Sequence, residues 1–447
     1  MQKHPASVSR AFVYVVLAAL LLPLLAACRA PEAAPTAAPA KPTEAPKPAA
    51  PAAPASPAAA PAAAPAASPA AAAPAATTAA APAGPATGQP IKIGFVWGVT
   101  GAVAEIVRPN SEAVKAYFEY VNKNGGVKGR PIEMVEVDSQ YKVPLAQEGY
   151  KKVTTEDKVP MVVLASTGDT LALAPQINQD KVVAVTYSCG ADWKPEKNPY
   201  IFTNCTYYED QMASTLQFIK SKVGDKGARI AFSYPDIPFG QDPIPTGREF
   251  AQKLGLTLVG EEKVGAADVD ATSQALNLKA ANPDYVIIQN VTAGGSAMVR
   301  SGKQAGLTAQ FIALNYAFDE QTIKAIGPQA AEGYMGVGVT AFPGPDLALM
   351  KDIGDFAPQI KDVSMRTIQG WSLAMVIADA LKRADAYDGP AILKALEKTD
   401  LDVKGAVPGG RWIYSDKSHA PTRKSTFYQV KDGKIVKISD PIDPPAR

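Results

Sequence analysis

From Ile91 onward the chain alternates short β-branched runs with longer amphipathic segments, and this alternation limits its fold more than any other feature. Residues 91–97, 132–137, 161–164 and 182–186 are compact apolar runs, which predicts buried strands. Between them, 111–123, 144–155 and 171–179 repeat apolar residues at helical spacing. A strand near 200–203 leads to a second set, with strands predicted at 229–233, 257–261, 285–289, 310–314 and 335–339. Its helices are predicted at 210–222, 244–254, 271–281 and 296–305. Such alternation predicts parallel sheets covered by helices on both faces, and two sets predict two α/β lobes. Doubly wound sheets bind ligands in a crevice at the carboxyl ends of their strands. The last third is less regular: helices are expected at 365–383 and 390–398, and Asp432-Gly433 marks a hairpin between 427–430 and 434–438.

The first ninety residues follow a different rule. Lys3 and Arg10 precede an apolar run, AFVYVVLAALLLPLLAAC, that ends at Cys28. A basic start, a short apolar stretch and small residues before a cleavage point mark an export signal over 1–27. The run is shorter than the roughly 20 residues that span a bilayer, and Pro23 interrupts it. Its end resembles the lipobox of bacterial lipoproteins, which implies lipidation of Cys28 and a membrane tether. Residues 28–90 then read as an Ala/Pro-rich disordered linker: Ala and Pro supply 47 of the 62 residues after Cys28, with no Leu, Ile, Val, Met or aromatic residue. Such a segment has no apolar surface to bury against the entropy of ordering. As polyproline II, at ~3.1 Å per residue, it would reach on the order of 150 Å.

Charge and composition exclude several functions. The formal net charge is +2, and Lys3 and Arg10 supply both charges, so cleavage before Cys28 leaves 2 − 2 = 0. Near-neutrality with no basic patch points away from nucleic acid. The only histidines are His4 and His419, which leaves no His-based zinc cluster and no conventional Ser-His-Asp triad unless His419 serves. No cofactor or metal is expected. His419 lies in 415–422, which reads as a surface turn. Besides Cys28 the chain holds Cys189 and Cys205, an even pair that either forms a disulfide in an oxidising compartment or stays as two buried thiols. A bridge would contribute ~3 kcal/mol by restricting the unfolded chain.

Residues 120–138, YVNKNGGVKGRPIEMVEVD, are the most specific stretch of the mature chain. They resemble the first helix–turn–strand of ABC-transporter substrate-binding proteins of the branched-chain amino-acid type. Further matches follow in order: Asp157-Lys158-Val159, Pro238-Phe239-Gly240-Gln241, and residues 268–279 with Asn282-Pro283-Asp284. Gln304-Ala305-Gly306-Leu307 and Ala331-Glu332-Gly333-Tyr334 complete the series. The resemblance spans essentially 91–447. It implies a type I periplasmic-binding fold, with two doubly wound parallel-sheet lobes joined by a three-strand hinge and ligand held between them as they close. On this reading 91–205 and 338–415 form the first lobe, and 206–337 and 416–447 the second. The implied partners are a small-molecule ligand, ABC permease subunits and, through the lipid, the outer face of a membrane or the periplasm. A monomer is expected.

Candidate binding residues come from the strand-to-helix loops. Ser166, Thr167, Gly168, Asp169 and Thr170 follow a strand and open a helix, where free N–H groups can seat a carboxylate or serve only as a helix cap. Ser188 and Gly190 match the family's second contact loop. Trp97 and Thr100 end the first strand, with Trp97 read either as a residue over the ligand or as core. From the second lobe come Tyr234, Phe239, Asn290, Asn315 and Tyr316. The resemblance places an acidic partner for a ligand ammonium at the Asn315 position, where this chain has a neutral amide; Asp169 or Asp236 can substitute. The ligand is thus an amino acid, an aromatic carboxylate or an amide. A ligand-sensing regulator on the same fold and a secreted enzyme are the competing functions. The chain shows no effector domain, G-x-S-x-G elbow, Walker loop or dinucleotide fingerprint.

Overall fold

The computed structural model describes residues 84–446. The signal at 1–27, the lipidation site Cys28 and most of the Ala/Pro-rich segment lie outside the described residues. Two main sheets organise the rest. The first has strands β1 (Ile91–Trp97), β2 (Ile132–Asp138), β3 (Met161–Leu164), β4 (Val183–Thr186) and β5 (Ile201–Thr203), all parallel, in the order β2-β1-β3-β4-β5. Central β3 and β4 are buried on both faces, which is why they read as unbroken Val/Ala/Leu runs. Edge strand β2, IEMVEVD, is mostly half-buried and mixes charged with apolar residues.

The second sheet contains β6 (Arg229–Tyr234), β7 (Thr257–Lys263), β8 (Tyr285–Ile288), β9 (Gln310–Ala313) and β10 (Met335–Gly338) as parallel strands. The hairpin β13 (Thr426–Lys431) and β14 (Lys434–Lys437) adds antiparallel to β10, so the order is β14-β13-β10-β9-β8-β6-β7. Asp432 and Gly433 both take positive φ (50° and 71°) in the turn, as the dipeptide predicts. A small antiparallel pair, β11 (Asp400–Asp402) and β12 (Arg411–Ile413), stands apart from both sheets. The chain passes between the two halves three times, at 204–207, 339–348 and 414–425.

Helix starts differ from expectation more than strands do. The helix expected from residue 111 runs over Ala104–Lys123 and carries Pro109 inside it. Proline removes one backbone hydrogen bond there, yet burial of Ile106, Val107 and Val114 holds the first turns in place. The helix expected from 171 begins at Thr167, because Ser166 caps it: the Ser166 hydroxyl accepts from the Asp169 N–H at 3.2 Å. Met365–Arg383 matches its expected bounds and packs along Ala104–Lys123. Gly370 permits that approach, since a Cβ there would stand 2.5 Å from the Asn110 carbonyl oxygen.

Cys189 and Cys205 are bridged, with their Cα atoms 5.6 Å apart, joining the loop after β4 to the passage after β5. His419 corrects the surface-turn expectation. It is fully buried, its ring stacked on Phe202 at 3.7 Å, with Nδ1 2.9 Å from the Ile201 carbonyl oxygen. The turn's polar composition conceals this, because one inward ring among exposed neighbours leaves no periodicity. Among the described residues, no helix is long and apolar enough to cross a membrane.

Burial lowers the His419 pKa to about 4, outweighing the Ile201 carbonyl at Nδ1 and the Glu196 carboxylate, which both favour the protonated ring. The folded value lies below the unfolded one, so the unfolded chain binds this proton first as pH falls. The contribution is therefore intact above pH ~6.5 and is lost down to pH ~4, amounting to about 3 kcal/mol. Urea unfolding should show the wild type losing that much more stability than His419→Asn across this window. Parallel curves for the two proteins would contradict the assignment.

Candidate functional site

Doubly wound order creates a divergence point in each sheet. In the first, the connections from β1 and β3 leave toward opposite edges; in the second, those from β6 and β8 do. Loops at such points part and leave a crevice at the strands' carboxyl ends. The crevices of the two sheets share one small cavity. Val103, Ile106 and Val107, after β1, form its first wall with Tyr141 after β2, Ala165 and Thr167 after β3, and Tyr187 and Ser188 after β4. Across from them stand Tyr208, Phe239 after β6, Val291 after β8 and Tyr316 after β9. Between the walls lies about 20 Å³, room for about one water molecule.

Thr167, Ser188, Phe239 and Tyr316, of the residues singled out in the sequence, line this cavity. The Thr167 and Ser188 hydroxyls lie 2.8 Å apart. Phe239 and Tyr316 meet edge-to-face at 6.2 Å, and Tyr208 meets Phe239 likewise at 5.5 Å. The Tyr316 hydroxyl donates to the Tyr187 carbonyl oxygen across the cleft, and burial pushes its pKa up to about 12. The Tyr187 hydroxyl donates to Asn110 Oδ1 at 2.8 Å.

The other candidates sit behind or beside the walls. Trp97 is core: its indole N–H donates to Glu136 at 2.8 Å, and its ring packs on Phe95 and Tyr187. Thr100 is exposed and bonded to Asp138. Ser166 caps the helix, and the Thr170 hydroxyl bonds the Ser166 carbonyl and Thr186 at 2.7 and 2.8 Å. Gly168 lies in the first turn of that helix. Asp169 is 1% exposed, neither carboxylate oxygen has a hydrogen-bond partner, and burial pushes its pKa up to about 6. Tyr234 donates to Glu261 at 2.6 Å, under the Lys263 ammonium. Asn290 spans from the Val264 carbonyl to the Val291 N–H. The Asn315 backbone N–H donates to Gln211 Oε1 at 3.2 Å, and its side-chain amide contacts Cys189 Sγ. At Gly190 a Cβ would stand 3.0 Å from Asp242 Oδ2, so the second half packs closely there.

Sequence reasoning does not reach the remaining wall residues. Tyr141 follows β2 at the same carboxyl edge as the loops considered, with Gln140 and Tyr141 both at positive φ (53° and 59°). The strand-end rule alone points to that loop. Val103, Ile106 and Val107 escape because helical spacing is clear only from residue 111. Tyr187 and Val291 directly adjoin predicted residues.

One contact between the halves is buried and charged. Arg366 and Asp319 pair at 2.9 Å, each 1% exposed. The guanidinium also donates to the Asn315 carbonyl at 3.1 Å and lies 4.9 Å from the centre of the Tyr316 ring. At the rim, Lys194 meets Glu209 at 3.0 Å.

Comparison with known proteins agrees with this architecture. The profile of the family described as periplasmic binding protein matches residues 90–434. The leucine-, isoleucine-, valine-, threonine- and alanine-binding protein of Pseudomonas aeruginosa is 26% identical over 345 residues, covering 76% of this chain and 89% of its own length. Among solved structures, a branched-chain amino acid ABC transporter from Thermus thermophilus with bound valine superposes with a TM-score of 0.74 at 22% identity, over 79% of this chain and 97% of that one. A fatty acid ABC transporter substrate-binding protein from Thermomonospora curvata gives 0.70 at 22% identity, over 81% and 94%. These likenesses are to solute-binding proteins, not enzymes. The chain belongs to the periplasmic binding protein family and carries its type I, two-lobed α/β fold.

Proposed function

We propose that this protein is an extracytoplasmic receptor that captures a small organic ligand between its lobes and delivers it to an ABC import permease. The observation that carries the reading is the cavity itself, about 20 Å³ and walled by strand-end loops from both sheets. A ligand enters only if the halves part, and it is then sealed from water when they close. The lobe division that accompanies this reading is 91–205 with 338–415, and 206–337 with 416–447. Similarity to amino-acid-binding and fatty-acid-binding proteins on one fold supports a solute receptor without selecting the ligand. Lipidation at Cys28 would tether the receptor beside its permease, with residues 29–90 as the leash.

A melting-temperature screen of the full-length chain against amino acids, aromatic acids and amides tests capture, since a ligand that binds the folded state raises Tm by mass action. The tightest hit should also reduce the radius of gyration in solution scattering. A hit without compaction contradicts closure. Phe239→Ala should weaken that ligand about 10- to 100-fold, the cost of about 1.5–3 kcal/mol of lost aromatic burial. Unchanged affinity would remove Phe239 from the site.

Metabolic labelling with radioactive palmitate should mark the wild type and not Cys28→Ser, which should be released from membranes. Equal labelling of both proteins would remove the tether.

A further inference from the structure

Gly190 has φ −66° and ψ 148°, a backbone conformation open to any residue, so no turn requires glycine there. The missing side chain makes room for a neighbour instead. A Cβ at Gly190 would stand 3.0 Å from Asp242 Oδ2, 3.3 Å from Trp193 Nε1 and 3.5 Å from Ser188 Oγ. Gly190 belongs to the loop after β4, whereas Asp242 ends the Pro238–Gln241 turn after β6. A carboxylate of one half thus rests on bare backbone of the other, beside the cavity that Ser188 lines.

The groups facing this carboxylate leave it without a cation of its own. Its Oδ1 atom is buried and has no hydrogen-bond partner, and the same holds for Trp193 Nε1. From the first half it faces Asp192, bonded to Lys197 at 3.1 Å, and Lys194, bonded to Glu209 at 3.0 Å. From its own half it faces Glu209 and Tyr208, at the start of the Tyr208–Val223 helix. Asp236, on its own segment, is exposed and bonded to Lys263 and Gln241 at 2.8 and 2.6 Å. The Thr167–Asp180 helix packs on Pro238–Gln241 and brings Asp169, whose carboxylate oxygens likewise have no partner. Lys194 and Lys197 each answer another carboxylate, so Asp242 is the one left over. Burial, with the negative charges of Glu209 and Asp192, pushes its pKa up to about 7, against the Ala191 N–H and the Lys194 ammonium.

This environment exists only while the halves are together. When they part, the 190–194 loop withdraws, water reaches Asp242, and its pKa returns toward the ordinary ~3.9. Glu209 stays beside it, but water weakens that repulsion. The closed state therefore binds the proton more tightly than the open state, and closure takes a proton up. Closure is strengthened as pH falls from ~7 toward ~4, and above ~7 it must bury an ionised carboxylate that no cation meets.

Building on the receptor reading above, we infer that Asp242 is a proton-operated latch between the halves: protonated, it seats on Gly190 and lets them close over a captured solute; ionised, it favours their parting. Capture is thereby matched to an acidic exterior and release to a neutral one.

Single-molecule energy transfer tests the latch without any solute. The full-length chain would carry Cys28→Ser and dyes on Glu148→Cys and Glu249→Cys, exposed positions one in each half, with Cys189 and Cys205 held in their disulfide. From pH 7.5 to 5.5 the closed-to-open ratio should rise about twentyfold. Asp242→Asn, uncharged throughout, should close at pH 7.5 as readily as the wild type does at pH 5.5, with no pH dependence. Gly190→Ala should displace Asp242 from its seat and lower the ratio at pH 5.5. A wild-type ratio that does not move with pH, whether the halves stay parted or stay closed, overturns the inference. So does pH dependence that survives in Asp242→Asn, or a Gly190→Ala ratio equal to that of the wild type. Loss of pH dependence in Asp169→Asn alone would assign the proton to Asp169 and also overturns it. None of these outcomes touches the receptor reading, which falls only if no compound binds in the melting-temperature screen.

Discussion

Arg366 has lost almost all contact with water, and a guanidinium in that state must be met by an opposite charge and by acceptors for its remaining protons. Asp319 supplies the charge and accepts two N–H groups at 3.0 and 2.9 Å, the Asn315 carbonyl and Gln369 accept one each, and the Tyr316 ring covers the group. Arg366 belongs to the helix packed on Ala104–Lys123, whereas Asp319, Asn315 and Tyr316 follow β9 of the other sheet. The pair therefore does more than stabilise one loop. It orients Tyr316 so that its hydroxyl reaches the Tyr187 carbonyl and its ring forms one wall of the cavity. Separating these groups without rehydrating them would leave two unpaired buried charges.

The cavity beside this seam is narrow, about 20 Å³. Its aromatic residues pack on one another: Tyr208, Phe239 and Tyr316 form a mutual edge-to-face cluster. The disulfide between Cys189 and Cys205 pins the loop that carries Ser188. It thereby fixes the Ser188 hydroxyl, which lies 2.8 Å from that of Thr167.

Strands were the most legible elements because their signal is local. Val162 and Val163, or Ile287 and Ile288, are buried on both faces of a parallel sheet, and a continuous apolar run follows directly. Helix starts were less legible where tertiary packing overrode a local stop, as at Pro109, or where a single cap fixed the start, as at Ser166. The candidate loops were found because carboxyl ends of strands are readable from strand order. Which side chain in each loop turns toward the cleft was not readable. Asn290 and Tyr234 occupy the right loops, yet Asn290 holds the start of a helix and Tyr234 is drawn to Glu261.

The sequence by itself determined the alternation of strands and helices, the two-lobed class, the hairpin at Asp432-Gly433 and the pairing partners available to Cys189. Each of these depends on periodicity, turn chemistry or composition, all carried by neighbouring residues. Tertiary structure alone decided that His419 is a buried ring stacked on Phe202, that Trp97 belongs to the core, and that Arg366 spends its charge on Asp319. Those outcomes join residues 39 to 218 positions apart. No local pattern encodes such a meeting, because it depends on how two separately folded sheets bring their strand ends together.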